Sequence, residues 1–177
     1  TAPGYEEKTA TLPITLAVDN DVELRLDPKP GDVNIRVGTP YVSGSVTSEG
    51  RDPTTGQPFV GSFELSDASS VQPYRRVPSG AVTVTVRRDG FAEVTQTQVL
   101  LPEATLEFVF PPLEPILGDL RVRTGEGGFD VVVVDARGEA IARSPVPASG
   151  EVVLRVRTGR GHAVTVTRAG YESITRR

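Results

Sequence analysis

The 177 residues carry a formal net charge of −4, with 24% charged and 37% hydrophobic side chains, which excludes a polyelectrolyte, a basic nucleic-acid-binding chain and a composition-driven disordered tail. Cysteine is absent, so neither a disulfide framework nor thiolate chemistry is available, and no run approaches the roughly 18 apolar residues of a membrane-spanning helix. Glycine (18) and proline (15) cluster between apolar runs, where turn residues belong.

Residues 1–28 open on Gly4-Tyr5-Glu6-Glu7 and pass through a threonine-rich stretch and the turn Asp19-Asn20-Asp21. The alternating run Val22-Glu23-Leu24-Arg25-Leu26 then stops at Pro28, so the segment reads as two strands and a turn. Further on, β-branched residues alternate with polar ones over 33–37, 42–46, 59–65, 81–88, 105–110, 120–123, 131–135, 151–157 and 162–168, and a threonine-rich strand starts at Thr95. A period of two puts successive side chains on opposite faces of a sheet, so each run predicts a strand with one buried face. Turn chemistry separates them at Pro53-Thr54-Thr55-Gly56, Ser79-Gly80, Ala136-Arg137-Gly138 and Thr158-Gly159-Arg160-Gly161. No window sustains the helical i, i+3, i+4, i+7 pattern. The expected class is all-β, antiparallel β-sandwiches without significant helix.

One phrase recurs: Gly4-Tyr5-Glu6-Glu7, Gly90-Phe91-Ala92-Glu93 and Gly170-Tyr171-Glu172-Ser173, 86 and then 80 residues apart. Its flanks recur too. Val82 to Asp89 precedes the second copy as His162 to Ala169 precedes the third, with Val84 over Val164 and Val86 over Val166. Gly31-Asp32-Val33-Asn34-Ile35-Arg36-Val37 returns as Gly118-Asp119-Leu120-Arg121-Val122-Arg123-Thr124. Self-similarity at a fixed period marks a tandem array. The expected organisation is a C-terminal strand pair of a preceding repeat over 1–28, a complete seven-stranded repeat over 30–113, and a second repeat over 117–177 that lacks its last two strands. The stretch 114–117, with Pro115, is the expected hinge, stiffened by proline. The longer first repeat should carry its extra residues within 48–76.

Several of these segments look like a known family. Tyr41-Val42-Ser43-Gly44-Ser45-Val46-Thr47, then Thr55-Gly56-Gln57-Pro58-Phe59-Val60-Gly61, Val77-Pro78-Ser79-Gly80 and Gly90-Phe91 resemble the carboxypeptidase regulatory-like family, which has a transthyretin-like sandwich. Gly118-Asp119, and Gly161-His162-Ala163-Val164-Thr165-Val166 through Gly170-Tyr171, are similar to the PEGA-type surface repeat. The resemblance implies a bacterial spacer, adhesive or envelope module outside the cytoplasm, and brings no catalytic residues with it.

Each chemically interesting residue has a plain structural explanation. His162, the single histidine, stands where the sister repeat has Val82, and a general base needs an orienting partner and a nucleophile in reach. Asp19-Asn20-Asp21 with Asp27 offers oxygens for calcium, but these are also standard turn residues and no metal is expected. The arginine pairs 75–76, 87–88 and 176–177 sit in an acidic chain and read as solvated strand faces rather than a nucleic-acid surface. Tyr5, Phe91 and Tyr171, each after Gly4, Gly90 or Gly170, read as structural repeat anchors, in the core or in a tyrosine-corner-like clamp. Lys8 and Lys29 are the only lysines and Asn20 and Asn34 the only asparagines, too few for a repeated Lys–Asn cross-link. No glycine-rich phosphate loop joins a strand to a helix.

The expected function is therefore non-enzymatic and without cofactor: a structural or spacer segment of a tandem-repeat extracytoplasmic protein. Its partners would be neighbouring repeats or other copies, pairing end to end through open strand edges. The alternative is a binding or adhesion module that recognises cell-wall glycan or a surface protein through loops at one end. Such a module should expose an aromatic or charged cluster in 48–58 or 66–76.

Overall fold

The computed structural model describes residues 3–11, 26–52 and 55–177; the expected strand Val22–Leu26 and the turn Asp19–Asp21 lie largely outside that set. Among the described residues there is no helix. Thirteen strands follow one another: β1 Gly31–Val37, β2 Val42–Arg51, β3 Pro58–Leu65, β4 Val71–Val77, β5 Gly80–Arg87, β6 Val94–Leu100, β7 Thr105–Phe110, β8 Leu117–Arg123, β9 Asp130–Val134, β10 Ala140–Pro145, β11 Glu151–Arg157, β12 Ala163–Thr167 and β13 Ile174–Arg176. The chain is all-β and sandwich-like.

Two compact units form, Thr1–Val86 with Val94–Pro112 and Arg87–Glu93 with Leu113–Arg177. The first differs from a contiguous 30–113 block because the loop 87–93 groups with the second unit. The physical reason is local: Phe91 forms a β-bridge with Pro115, Ile116 N–H donates to Gly90 O and Ala92 N–H donates to Glu114 O. The same bonds, with Thr158 N–H donating to Ile116 O, hold the backbone of 114–117 within the second unit.

In the first unit one sheet runs β4-β1-β7 and the other β3-β2-β5-β6. β1 pairs antiparallel with β4 and parallel with β7, residue for residue from Asp32↔Thr105 to Val37↔Phe110. Every second side chain of the central strands points inward, and β-branched valine suits a pleated, packed face. Val33, Ile35, Val82, Val84, Val86 and Phe108 are wholly buried. Burying a side chain of this size stabilises by about 1.5–3 kcal/mol.

In the second unit one sheet runs β11-β8 and the other β10-β9-β12-β13. Reading β8 as β1, β9 as β2 and so on to β13 as β6, the strand orders correspond position for position. No described residue of the second unit takes the place of β7. Its core is smaller, with Val131, Val133, Val146 and Leu154 buried and Leu120, Val122, Val156, Val164 and Val166 half-covered around them. The extra length of the first unit lies in the β2–β3 hairpin, whose strands run 10 and 8 residues against 5 and 6 in β9 and β10.

Three strands go beyond the alternation pattern. All of β4 but Val77 lies in the stretch 66–76 that reads as a loop, because Pro73 and the pair Arg75-Arg76 mask its pattern. As an edge strand it has one neighbour, β1, and tolerates proline. β10 is also an edge, and β13 is three exposed residues long.

Candidate functional site

The recurrent glycine–aromatic phrase shares a left-handed glycine at all three copies. Gly4, Gly90 and Gly170 have φ of +79°, +77° and +81°, a conformation open to glycine and costly for other residues. Gly90 is doubly constrained, since a β-carbon there would strike the carbonyl oxygen of Thr158. Phe91 N–H donates to Arg88 O, and Tyr171 N–H to Arg168 O, each at 3.1 Å. The first two copies extend the match into the following proline. Tyr5 bridges Pro28 as Phe91 bridges Pro115, with Glu6 N–H donating to Asp27 O and Lys29 N–H to Gly4 O at 2.8 Å each.

None of the three aromatics is a core residue. Tyr5 and Tyr171 are 40% and 57% exposed and Phe91 is half-buried. The backbone motif recurs, while each ring finds its own surface partners. Arg88 and Arg157 stack over Phe91 with Cζ 4.6 and 4.9 Å from the ring centre. Tyr171 packs edge-on to Phe129 at 5.6 Å, with Arg168 beside both rings. A guanidinium over a ring face is attracted by the ring quadrupole, by about 0.5–1 kcal/mol at an exposed site and more when desolvated.

Behind the Phe91 clamp sits the best-buried ion pair among the described residues. Arg157 Nη2 donates to Asp135 Oδ2 at 2.7 Å, and Asp135 is 8% exposed. Asp135 Oδ1 accepts from Arg137 N–H at 2.9 Å and Glu139 N–H at 3.1 Å, which closes the β9–β10 turn. Burial alone would raise the Asp135 pKa, but the two backbone N–H groups and Arg157 outweigh it and hold the carboxyl below its ordinary value. Burial, then the positive charges of Arg157 and Arg137, holds Arg88 below the ordinary arginine value. The sequence flags Arg88 only as half of a pair and does not single out Asp135 or Arg157. Their contact spans 22 residues, and neither has a local motif that announces it.

His162 lines an apolar cavity of about 330 Å³ in the second unit, with Gly118, Leu120, Val133, Val156 and Val164. Its Nδ1 lies 3.0 Å from Gly159 O and therefore carries the proton. Nε2 is buried and has no hydrogen-bond partner among the described residues. Among the described residues, no carboxylate orients the ring through a hydrogen bond, and no hydroxyl nucleophile is hydrogen-bonded to it.

The remaining candidates are surface groups. Asp27 pairs with Lys8 at 2.7 Å and Lys29 with Glu103 at 2.8 Å. Arg75 Nη1 meets Asp32 Oδ2 at 2.6 Å, where Arg76, at φ +57°, makes a bulge in the β1–β4 ladder. Arg87 pairs with Glu93 across the β5–β6 turn. Exposed pairs of this kind are screened by water and contribute little to stability. In the stretches set out for a binding module, 48–58 is the end of β2, the start of β3 and, in its described part, a turn between them in which Asp52 Oδ1 accepts from Thr55 N–H at 2.8 Å. Within 66–76, Tyr74 stacks edge-on to Phe59 at 5.8 Å and its hydroxyl donates to Ser62 O at 2.7 Å, which spends the ring on joining β4 to β3. Among the described residues, no three His, Cys, Asp or Glu side chains gather as metal ligands.

No family model matches the chain, and no curated protein matches it. Among solved structures it is similar to the Bacillus anthracis TIE protein, with 14% identity and a TM-score of 0.52 over 88% of this chain and 32% of that one. It therefore spans about a third of that protein's length. A proposed carbohydrate-binding protein of Bacteroides uniformis aligns at 6% identity with a TM-score of 0.30, over 84% of this chain and 99% of that one, too low to carry an argument. The first likeness speaks for the fold alone: an all-β chain of several antiparallel sheets.

Proposed function

We propose that this chain is a non-enzymatic structural spacer, a segment of a tandem-repeat protein that works outside the cytoplasm. The observation that carries the reading is the repeated junction. A left-handed glycine, an aromatic bridged to proline and the same two backbone hydrogen bonds occur at Gly4-Tyr5/Pro28 and again at Gly90-Phe91/Pro115. A device that stands twice ahead of a unit's first strand, once before β1 and once before β8, is what an array needs and an isolated domain does not. The matched strand orders of the two units support it. The extracytoplasmic placement rests on the resemblance to carboxypeptidase regulatory-like and PEGA-type repeats, and the partners it implies are neighbouring repeats or other copies of the chain. Glycan or protein capture through the loops is the second reading; Tyr74 and Phe59 are its best aromatic residues, and they are occupied with each other.

The test is thermal unfolding of the full chain with and without soluble peptidoglycan fragments. A spacer should melt at the same temperature in both. A saturable upward shift, lost on substituting Tyr74 or Arg75, would replace the spacer reading with the binding one.

A further inference from the structure

We propose that the second unit is an acceptor for one further strand of the β7 type. An extended segment with large apolar side chains at alternate positions docks parallel to β8 and closes the half-open core. The proposal deepens the array reading, and rests on it only for where such a strand comes from.

The first unit shows what the groove fits. There β7 lies against β1 and places Leu106, Phe108 and Phe110 beside Val33, Ile35 and Val37, and both phenylalanines are at most 1% exposed. At the start of β1 the side chain of Leu100 and the carbonyl of Ala104 press against Gly31, leaving no room for a β-carbon. The second unit has the same strand order up to β13, and apolar residues at most of the matching inward positions, without that cover. Leu120 and Val122 stand where Val33 and Ile35 are wholly buried, yet are only half-buried. Val164 and Val166 repeat the contrast against Val84 and Val86. Ile174, aligned with Val94 through the β12–β13 register, is 58% exposed. A β-carbon on Gly118, the counterpart of Gly31, would meet only Thr158 Cγ2, at 3.2 Å. The cavity of about 330 Å³ lies at that glycine, lined also by Leu120, Val156 and Val164. The unpartnered Nε2 of His162 lines it.

The backbone is set for the same pairing. Asp32 N–H donates to Ala104 O and Gly38 N–H to Phe110 O, so alternate amides of β1 face β7. By the same alternation Thr124 N–H donates to Gly150 O on the β11 side, which turns the amides of Asp119, Arg121 and Arg123 to the other edge of β8. An unpaired edge beside an exposed apolar strip is the arrangement that captures an added strand, the backbone supplying affinity and the alternate pockets specificity. The sequence class of the occupant follows from the pockets: leucine or phenylalanine at every second position, as in Leu106-Glu107-Phe108-Val109-Phe110.

The experiment adds a synthetic peptide of residues 96–112 to the full chain and reads binding by fluorescence anisotropy and amide exchange by NMR. Saturable binding is expected, with exchange at Asp119, Arg121 and Arg123 slowed roughly tenfold or more. Arg121→Pro removes one edge-facing donor while leaving the β11 ladder intact, and proline is tolerated on an edge. That variant should keep its amide spectrum and lose the peptide. No saturable binding up to about 1 mM, the weak end of specific association, would overturn the proposal. So would equal binding by Arg121→Pro, or equal binding of a peptide carrying Phe108→Asp and Phe110→Asp. Because the glycan melting shift tests the spacer reading and the peptide tests the groove, each can fail without the other.

Discussion

Val84 and Val164 occupy equivalent positions in β5 and β12, in units with matching strand orders, yet one is wholly buried and the other half-covered. The difference lies in the neighbours. In the first unit β7 brings two phenylalanines over the inner face of β1, whereas the described residues of the second unit place nothing there. A second contrast sits beside the turn into β5 or β12. Ser48 hydroxyl donates to Pro78 O at 2.8 Å in the first unit. In the second unit Arg157, the last residue of β11, meets Asp135 as a buried ion pair. The first unit thus draws on apolar packing, and the second replaces part of it with a charge network around Phe91. Equivalent strands do not hold equivalent energy; the layer that covers them decides.

The comparison can be broken most forcefully at the cover itself. Phe108→Ala should destabilise the first unit by about 4 kcal/mol, the usual cost of emptying a phenylalanine site in a core. The second unit should be unaffected. Amide exchange of β1 against that of β9 reads the two units separately, and equal losses would contradict the division of the core. Next comes the charge network. Asp135→Ala should cost the second unit about 3 kcal/mol, because Arg157 is left without its partner in a site that is largely dry. Ser48→Ala should cost the first unit only about 1 kcal/mol, the scale of one neutral hydrogen bond.

The valine pair sharpens the contrast more finely. Val84→Ala should cost about 2–3 kcal/mol and Val164→Ala less than half of that, because the half-covered site has less apolar area to lose and less cavity to leave. Urea unfolding of the two variants decides it, and equal values would mean that the second core is closed in solution.

The smallest expected effect is the pH dependence of the second unit. The Asp135 pKa is lower in the folded state than in the unfolded chain. The stability it contributes is therefore fully present above the ordinary carboxylate value near 4 and is lost as pH falls through the depressed folded value. Exchange at β9 should accelerate on acidification below about pH 4 more than exchange at β1. In Asp135→Asn that difference should flatten.

Much of this architecture is legible in the chain. A period of two, valine at the inward positions and glycine or proline between runs specify strands, because the side-chain geometry of a pleated backbone is local. Gly90 and Gly170 announce their turns for the same reason: only glycine adopts that φ without strain. The edge strands β4, β10 and β13 were harder to see. A strand with one neighbour tolerates Pro73, paired arginines or short polar runs, and so loses the signal that a buried face imposes. Phe91 is an instructive case. Its recurrence marks it as an anchor, but no local pattern tells that its partners are Arg88 and Arg157 rather than the core.

What the sequence by itself determined, then, is the all-β class, the inward valines and the recurring glycine–aromatic turn, each set by the geometry of a few neighbouring residues. Only the tertiary structure decided which strands became neighbours. It put β7 beside β1 across some 70 residues of chain, left β8 with one edge unpaired among the described residues, and brought Arg157 to Asp135. Those choices depend on the summed burial of many distant side chains, and no stretch of sequence read alone contains that sum.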